Sequence, residues 1–133
     1  MKVEFFKVFE GKSLTLQKKV TQADSYEGLL STASLTKFML DTGWELVAKE
    51  LPAGYTSVTA QVMVTHEEPT IAGETITVKA SVKGIEGNRM VLGFEAEDET
   101  GIIAHGRSER HVVDEILLKE LGEKRAEVLK TIR

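Results

Sequence analysis

The chain has 133 residues, of which 41% are hydrophobic and 29% charged, and this composition suits a single domain, residues 1–133, with a buried core. The net charge of −4, with basic and acidic residues interspersed, does not favour a nucleic-acid-binding protein. The absence of cysteine excludes disulfides, thiolate chemistry and zinc–thiolate sites. The sequence contains no run of about 18 apolar residues, so no membrane span is predicted. The N-terminus lacks the pattern of a signal peptide. We therefore expect a cytoplasmic protein.

The first half of the chain predicts one strand and one long helix. Partial alternation over 13–20 predicts the strand, and the turn-forming residues of 21–34 predict a loop with a short helical turn. Apolar residues at helical spacing predict a helix over 34–54, with a serine or threonine at its start as the N-cap. The apolar arc of this helix is wide, which indicates that something wraps around it.

The second half predicts antiparallel strands and a final helix. Alternation and turn signals predict strands at 56–66, 74–83, 89–98 and 102–113. The tail, 114–133, predicts an amphipathic helix whose apolar side is formed by Ile116, Leu117, Leu121, Val128 and Ile132. One helix ahead of a sheet with one apolar face predicts an α+β fold in which the curved sheet packs around the helix.

His66 occupies an unexpected place in the first of these strands. Val58, Ala60, Val62 and Val64 recur at every second position and should line one face. His66 is the next member of the row, where the alternation asks for another apolar side chain. The alternation alone does not explain why an imidazole stands at this position.

Three segments have distinctive sequences: the helix start "LLSTASLTKFMLDTGW", the strand and turn "VTAQVMVTHEEPTIAG", and the last strand "HGRSERHVVD". Together they resemble the fluoroacetyl-CoA thioesterase-like branch of the hotdog-fold thioesterases. The resemblance covers about residues 13–114. It implies the hotdog fold, an antiparallel curved sheet around one long helix, here with an extra C-terminal helix. It also implies an acyl-CoA thioesterase that hydrolyses a small acyl-CoA thioester.

The resemblance implies a set of catalytic residues. Family members resemble one another in using a threonine hydroxyl near the helix start, a carboxylate about two turns later and the strand-end histidine. Carried over here, the carboxylate falls on Asp41 and the imidazole on His66. The threonine position aligns without gaps on Ala33, which has no hydroxyl. The flanking Thr32 and Ser34 are therefore the candidates for that role.

Three further residues are candidates for substrate binding. Arg107 and Arg110 belong to the last-strand pattern and can meet the phosphates of coenzyme A, although exposed strand arginines are common. Thr59 stands where the family tends to have a glycine that faces the substrate.

The chemistry sets the expected partners. Thioester hydrolysis needs a nucleophile or a water with a base, donors for the oxyanion, and a proton for the leaving thiolate. We therefore expect no cofactor beyond the coenzyme A carried by the substrate, and no metal, nucleic acid or membrane. A homodimer or higher homo-oligomer is expected, because one sheet over one helix leaves strand edges and a sheet face to cover.

Other interpretations remain open at this point. A single histidine at a strand end is more often a hydrogen-bonded structural residue, and Asp41 could belong to a solvated stripe with Lys37 and Glu45. The alternative function is a non-catalytic hotdog protein that binds acyl-CoA or another small ligand. Ala33 and Thr59, which depart from the family pattern, favour that alternative.

Overall fold

The computed structural model describes residues 6–133, which form seven strands, two α-helices and two short 3₁₀ turns. The strands are β1 (Ser13–Lys19), β2 (Ser25–Tyr26), β3 (Leu29–Leu30), β4 (Tyr55–His66), β5 (Thr75–Glu86), β6 (Arg89–Asp98) and β7 (Gly101–Asp114). The helices are α1 (Thr32–Ala48) and α2 (Glu115–Ile132), and the 3₁₀ turns are Lys7–Phe9 and Gln22–Asp24. No helix in this part of the chain is long and apolar enough to cross a membrane.

The predicted α+β hotdog architecture is confirmed. Five strands form one antiparallel sheet in the order β1-β5-β6-β7-β4, and β2 and β3 pair with each other. The inner face of the sheet packs on α1, and their apolar side chains form one core. Strand β4 lies at an edge of the sheet, directly after the loop that leaves α1.

Helix α1 begins earlier and ends earlier than the sequence predicts. Ser31 is the N-cap, and its side chain accepts a hydrogen bond from the Ser34 N–H at 3.1 Å, so the helix starts at Thr32. The last helical residue is Ala48, and the chain then turns through Gly54 at a φ of 90°. The cap places Thr32 and Ala33 in the first turn of the helix.

Two glycines allow α1 to lie close to the sheet. A Cβ added at Gly43 of α1 would stand 2.9 Å from Cδ1 of Leu92 on β6. A Cβ added at Gly106 of β7 would stand 2.8 Å from Sδ of Met39 and 3.2 Å from the Met63 carbonyl oxygen. A side chain at either position would force these neighbours to shift, so the two glycines allow α1 to approach the strands closely.

A β-bulge corrects the predicted apolar row on β4. The register to β7 shifts between Thr59 and Gln61, so that two residues of β4 oppose one of β7. Val62, Val64 and His66 share the inner face, but the bulge removes Val58 and Ala60 from that alternation. The predicted row of five was wrong in its first two members because strict alternation fails across a bulge.

Candidate active site

Thr32 and His66 meet at one end of the sheet. Thr32 is the first residue of α1, and His66 is the last residue of β4. The Thr32 Oγ1 atom lies 2.9 Å from Nδ1 of His66, which is a hydrogen-bonding distance. The resemblance left open whether Thr32 or Ser34 supplies the hydroxyl, and the geometry brings Thr32 to the imidazole.

The second ring nitrogen of His66 has no hydrogen-bond partner in the part of the chain that the structure describes. Its Nε2 atom is buried and makes no hydrogen bond to any residue within 6–133. A buried polar atom without a partner costs about 1–3 kcal/mol, so it needs an explanation other than stability. When the Thr32 hydroxyl donates to Nδ1, the ring proton sits on Nε2, and the imidazole can accept a proton at Nδ1.

The start of α1 supplies backbone donors beside this pair. The N–H groups of the first turn of a helix have no acceptor within the helix, and the Ser31 side chain satisfies only that of Ser34. The N–H groups of Thr32 and Ala33 therefore remain as donors without an intrahelical acceptor. Ser34 is half-buried, and its amide is tied to the cap.

Asp41 lies on another side of α1. It is nine residues after Thr32, which is about two and a half turns at ~3.6 residues per turn, so the two side chains project in opposite directions. The Oδ2 atom of Asp41 accepts a hydrogen bond from Nζ of Lys37 at 2.7 Å, and its side chain is 40% exposed. The i,i+4 pairing considered for the solvated stripe is therefore present, and within one chain Asp41 does not contact His66.

Arg110 is a buried residue, which corrects the sequence interpretation of an exposed strand arginine. Its exposure is 4%, and it makes three hydrogen bonds to β4. Nε donates to Ser57 Oγ at 2.9 Å, one terminal nitrogen donates to Thr59 Oγ1 at 2.9 Å, and the other donates to the Ser57 carbonyl at 3.1 Å. Burial lowers the pKa of Arg110. Two of the predicted substrate-binding residues, Thr59 and Arg110, thus bind each other beside the bulge.

Arg107 lies on the outer face of the sheet. It is exposed, and its guanidinium stands 3.9 Å from a carboxylate oxygen of Glu109. On the same face, His105 is hydrogen-bonded to Glu67, and this hydrogen bond raises the pKa of His105. Within one chain, Arg107 therefore lies on the opposite face of the sheet from His66.

The described residues offer no ready metal site. No group of three or more histidine, aspartate or glutamate side chains converges anywhere in residues 6–133. The polar groups at the end of β4 are a hydroxyl, an imidazole and backbone amides, which suit acid–base chemistry and oxyanion binding.

Residues 12–116 match the family FlK, fluoroacetyl-CoA-specific thioesterase. The chain belongs to this family. The matched segment contains α1, the whole five-stranded sheet and both members of the Thr32–His66 pair, whereas nearly all of α2 lies beyond it. No functionally curated protein matches the sequence.

Solved structures share the fold along most of the chain. A hot-dog-like protein from Thermanaerovibrio acidaminovorans is 32% identical, with a TM-score of 0.88 over 92% of this chain and 97% of that one. A thioesterase superfamily member from Thermus thermophilus is 22% identical, with a TM-score of 0.85 over 91% and 95% of the two chains. A variant of the fluoroacetyl-CoA-specific thioesterase FlK in complex with fluoroacetate and CoA is 24% identical, with a TM-score of 0.75 over 81% and 97%.

Proposed function

We propose that this family member is an acyl-CoA thioesterase that hydrolyses a small acyl-CoA thioester. The observation that carries the proposal is the hydrogen bond between Thr32 at the start of α1 and His66 at the end of β4. A hydroxyl held by an imidazole at 2.9 Å is the arrangement by which proteins activate a nucleophile. Membership of the thioesterase family supports the same conclusion, and one structural relative holds CoA.

The geometry restricts the route of the proton. Nδ1 of His66 is engaged by Thr32, and Nε2 is buried, so in one chain a proton reaches the imidazole through the Thr32 hydroxyl. In the proposed reaction Thr32 Oγ1 or a water hydrogen-bonded to it attacks the thioester carbonyl, and His66 accepts the released proton. The carbon–sulfur bond then breaks, and His66 returns the proton to the CoA thiolate.

The first turn of α1 would stabilise the oxyanion. Attack places negative charge on the carbonyl oxygen, and the N–H groups of Thr32 and Ala33 lie at the helix end where the macrodipole is positive. This use of the backbone suits the presence of alanine at position 33, because the amide of Ala33 acts whether or not its side chain has a hydroxyl. If Thr32 attacks directly, its Oγ1 carries the acyl group, so in the second step a water takes the place of the hydroxyl beside Nδ1 of His66. That water gives its proton to Nδ1 and attacks the ester carbonyl, the acyl–oxygen bond breaks, and His66 returns the proton to Thr32 Oγ1. No further cofactor enters either route.

We also propose that the active protein is a homodimer or a higher homo-oligomer. Strand β4 is an edge strand, and it leaves Val62 38% and Met63 61% exposed. On α1, Trp44 is 50% exposed. Large apolar side chains on an unpaired strand edge favour pairing with a second chain. Light scattering should give at least twice the chain mass of 14.7 kDa.

The alternative is a small-ligand-binding hotdog protein without turnover. Asp41 favours it, because this candidate carboxylate is engaged by Lys37 and lies away from His66. A panel of short acyl-CoA thioesters, assayed for thiol release, separates the two functions. Release above the uncatalysed rate supports the thioesterase. Thermal stabilisation by CoA without release would support the binding protein instead.

A further inference from the structure

Helix α2 carries an uncovered apolar surface. It has 18 residues and no buried side chain, and its N-terminus is capped by Asp114, whose carboxylate accepts from the Ile116 and Leu117 N–H groups at 2.8 and 3.0 Å. We define the α2 apolar row as four exposed residues: Leu117 (54%), Leu121 (56%), Val128 (55%) and Ile132 (73%). An isolated helix of this length is only marginally stable in water, so α2 needs another surface packed on its apolar row to stabilise it.

The row has the geometry of a helix–helix contact. At about 100° per residue its four members fall within an arc of about 60°. Their spacing is palindromic: four residues, then seven, then four. A two-fold axis near positions 124 and 125 therefore sets Leu117 opposite Ile132 of a second helix and Leu121 opposite Val128. This self-complementary contact needs only a second copy of α2.

The distribution of charge along α2 favours antiparallel over parallel pairing of two helices. Residues 114–123, the first half of the C-terminal segment, include four acidic residues and one basic residue, which gives a net charge of −3. Residues 124–133, the second half, include four basic residues and one acidic residue, which gives a net charge of +3. The helix macrodipole by itself favours such a distribution. In a parallel pair, however, each half would face its like, whereas an antiparallel pair sets the acidic half against the basic half.

We propose that α2 forms an antiparallel pair with α2 of a second copy of this chain. Lys124 and Arg125 then lie near the two-fold axis, where their long stems pack along the row and their charged ends reach solvent. The family match ends at residue 116, so this contact lies outside the segment that carries the Thr32–His66 pair. It is a second interface, separate from the contact proposed for β4, and it does not depend on thioesterase activity.

The absence of cysteine makes the test direct. Full-length Leu121→Cys and Val128→Cys chains are mixed and exposed to mild oxidant, alone and together. A disulfide requires Cα atoms within about 7 Å, so the antiparallel pair predicts at least ~10-fold more covalent dimer in the mixture than in either variant alone. Ala126→Cys, on the opposite side of the helix, is the matched control and should not cross-link with either variant.

A second measurement checks the contact without a cross-link. The double variant Leu121→Glu/Val128→Glu places charges in the row, so the α2 amides should exchange with deuterium at least ~10-fold faster than in the wild type while the β-sheet amides do not change. Unchanged α2 exchange would contradict the pair. A cross-link that forms equally well in Leu121→Cys alone would show parallel pairing and overturn the proposal.

Other occupants of the row give different results. No cross-link above the Ala126→Cys control would overturn the pair at once. If the wild type then sediments with anionic phospholipid vesicles and the double glutamate variant does not, the row binds lipid. If the wild type shows neither the cross-link nor sedimentation, the row binds neither a second copy of this chain nor lipid, and the proposal is wrong.

Discussion

Thr32 at the start of α1 and His66 at the end of β4 are 34 residues apart in the sequence and share a hydrogen bond of 2.9 Å. The Ser31 cap sets the first and the sheet register sets the second. The pair is therefore held by two rigid elements, as the proposed catalytic role requires. The buried Nε2 of His66 has no partner among residues 6–133, and burial without one costs stability at the same site.

Thr32 should be required for turnover. We expect Thr32→Val, which keeps the shape and removes the hydroxyl, to lower kcat by ~10²-fold or more, because the proton route to His66 is lost. Thr32→Ser should retain most of the activity. Ser34→Ala is the matched control, since Ser34 is the other candidate hydroxyl and should lose little. Thiol release from short acyl-CoA thioesters measures all three, and normal turnover in Thr32→Val would remove Thr32 from the mechanism.

His66 should act by exchanging a proton rather than by holding a hydrogen bond. His66→Gln keeps hydrogen-bonding capacity but cannot exchange a proton near neutral pH, so it should be nearly as inactive as His66→Ala. Turnover and thermal midpoint are measured for both variants. Under a purely structural role, His66→Gln would keep its activity and His66→Ala would mainly lose stability; that pattern would end the proton-transfer hypothesis.

The family resemblance and the geometry of one chain predict different effects of replacing Asp41. Because its carboxylate is paired with Lys37 and projects from the side of α1 opposite Thr32, Asp41→Asn should change turnover by less than about threefold. Glu45→Gln, on the same stripe, is the control. A loss of ~10²-fold or more in Asp41→Asn alone would instead establish the carboxylate role that the resemblance implies.

The sequence predicted the elements better than it predicted the contacts between them. Periodicity gave α1, the long strands and α2, since each pattern extends over ten or more residues. It could not choose between Thr32 and Ser34, because that choice depends on which serine caps the helix, and Ser31 decides it through one hydrogen bond of 3.1 Å. A shift of one residue at a helix start turns a side chain by about 100°.

The sequence contains no clear signal for the β-bulge in β4 or for the burial of Arg110. The register shift between Thr59 and Gln61 moves Val58 and Ala60 out of the predicted row, and no glycine marks it. The sequence alone predicts an exposed position for Arg110, because arginine is rarely buried. It is buried because Ser57 and Thr59, 53 and 51 residues away, supply its acceptors. Long-range polar complementarity of this kind is set by register, which a single sequence does not state.

Arg110 should stabilise the junction of β4 and β7. Arg110→Ala would remove three hydrogen bonds and leave the buried Ser57 hydroxyl without its donor, so we expect a loss of about 2–4 kcal/mol in the free energy of unfolding. Arg110→Lys should recover only part, because an ammonium cannot reach three acceptors in the plane that a guanidinium does. Arg107→Ala, on the exposed face of the same strand, should stay within about 0.5 kcal/mol. Urea unfolding measures each variant, and equal values for Arg110→Ala and Arg107→Ala would contradict the role of the buried network.

The His105–Glu67 pair on the outer face should make stability depend on pH with a definite sign. The hydrogen bond to Glu67, followed by its charge and that of Glu95, raises the pKa of His105 in the folded chain. The protonated form is therefore the one that folding favours. Its contribution is fully present below the unfolded pKa of ~6.5 and is lost as the pH rises through the raised folded value. Glu67→Gln should accordingly lower the free energy of unfolding relative to the wild type near pH 5.5, and the difference should disappear near pH 9. Glu68→Gln, one residue along the same loop, should show no such pH dependence.

NMR titration of the His105 ring measures the effect directly, and the pKa of His105 should fall in Glu67→Gln. An unchanged pKa would show that Glu67 does not act on His105 in solution.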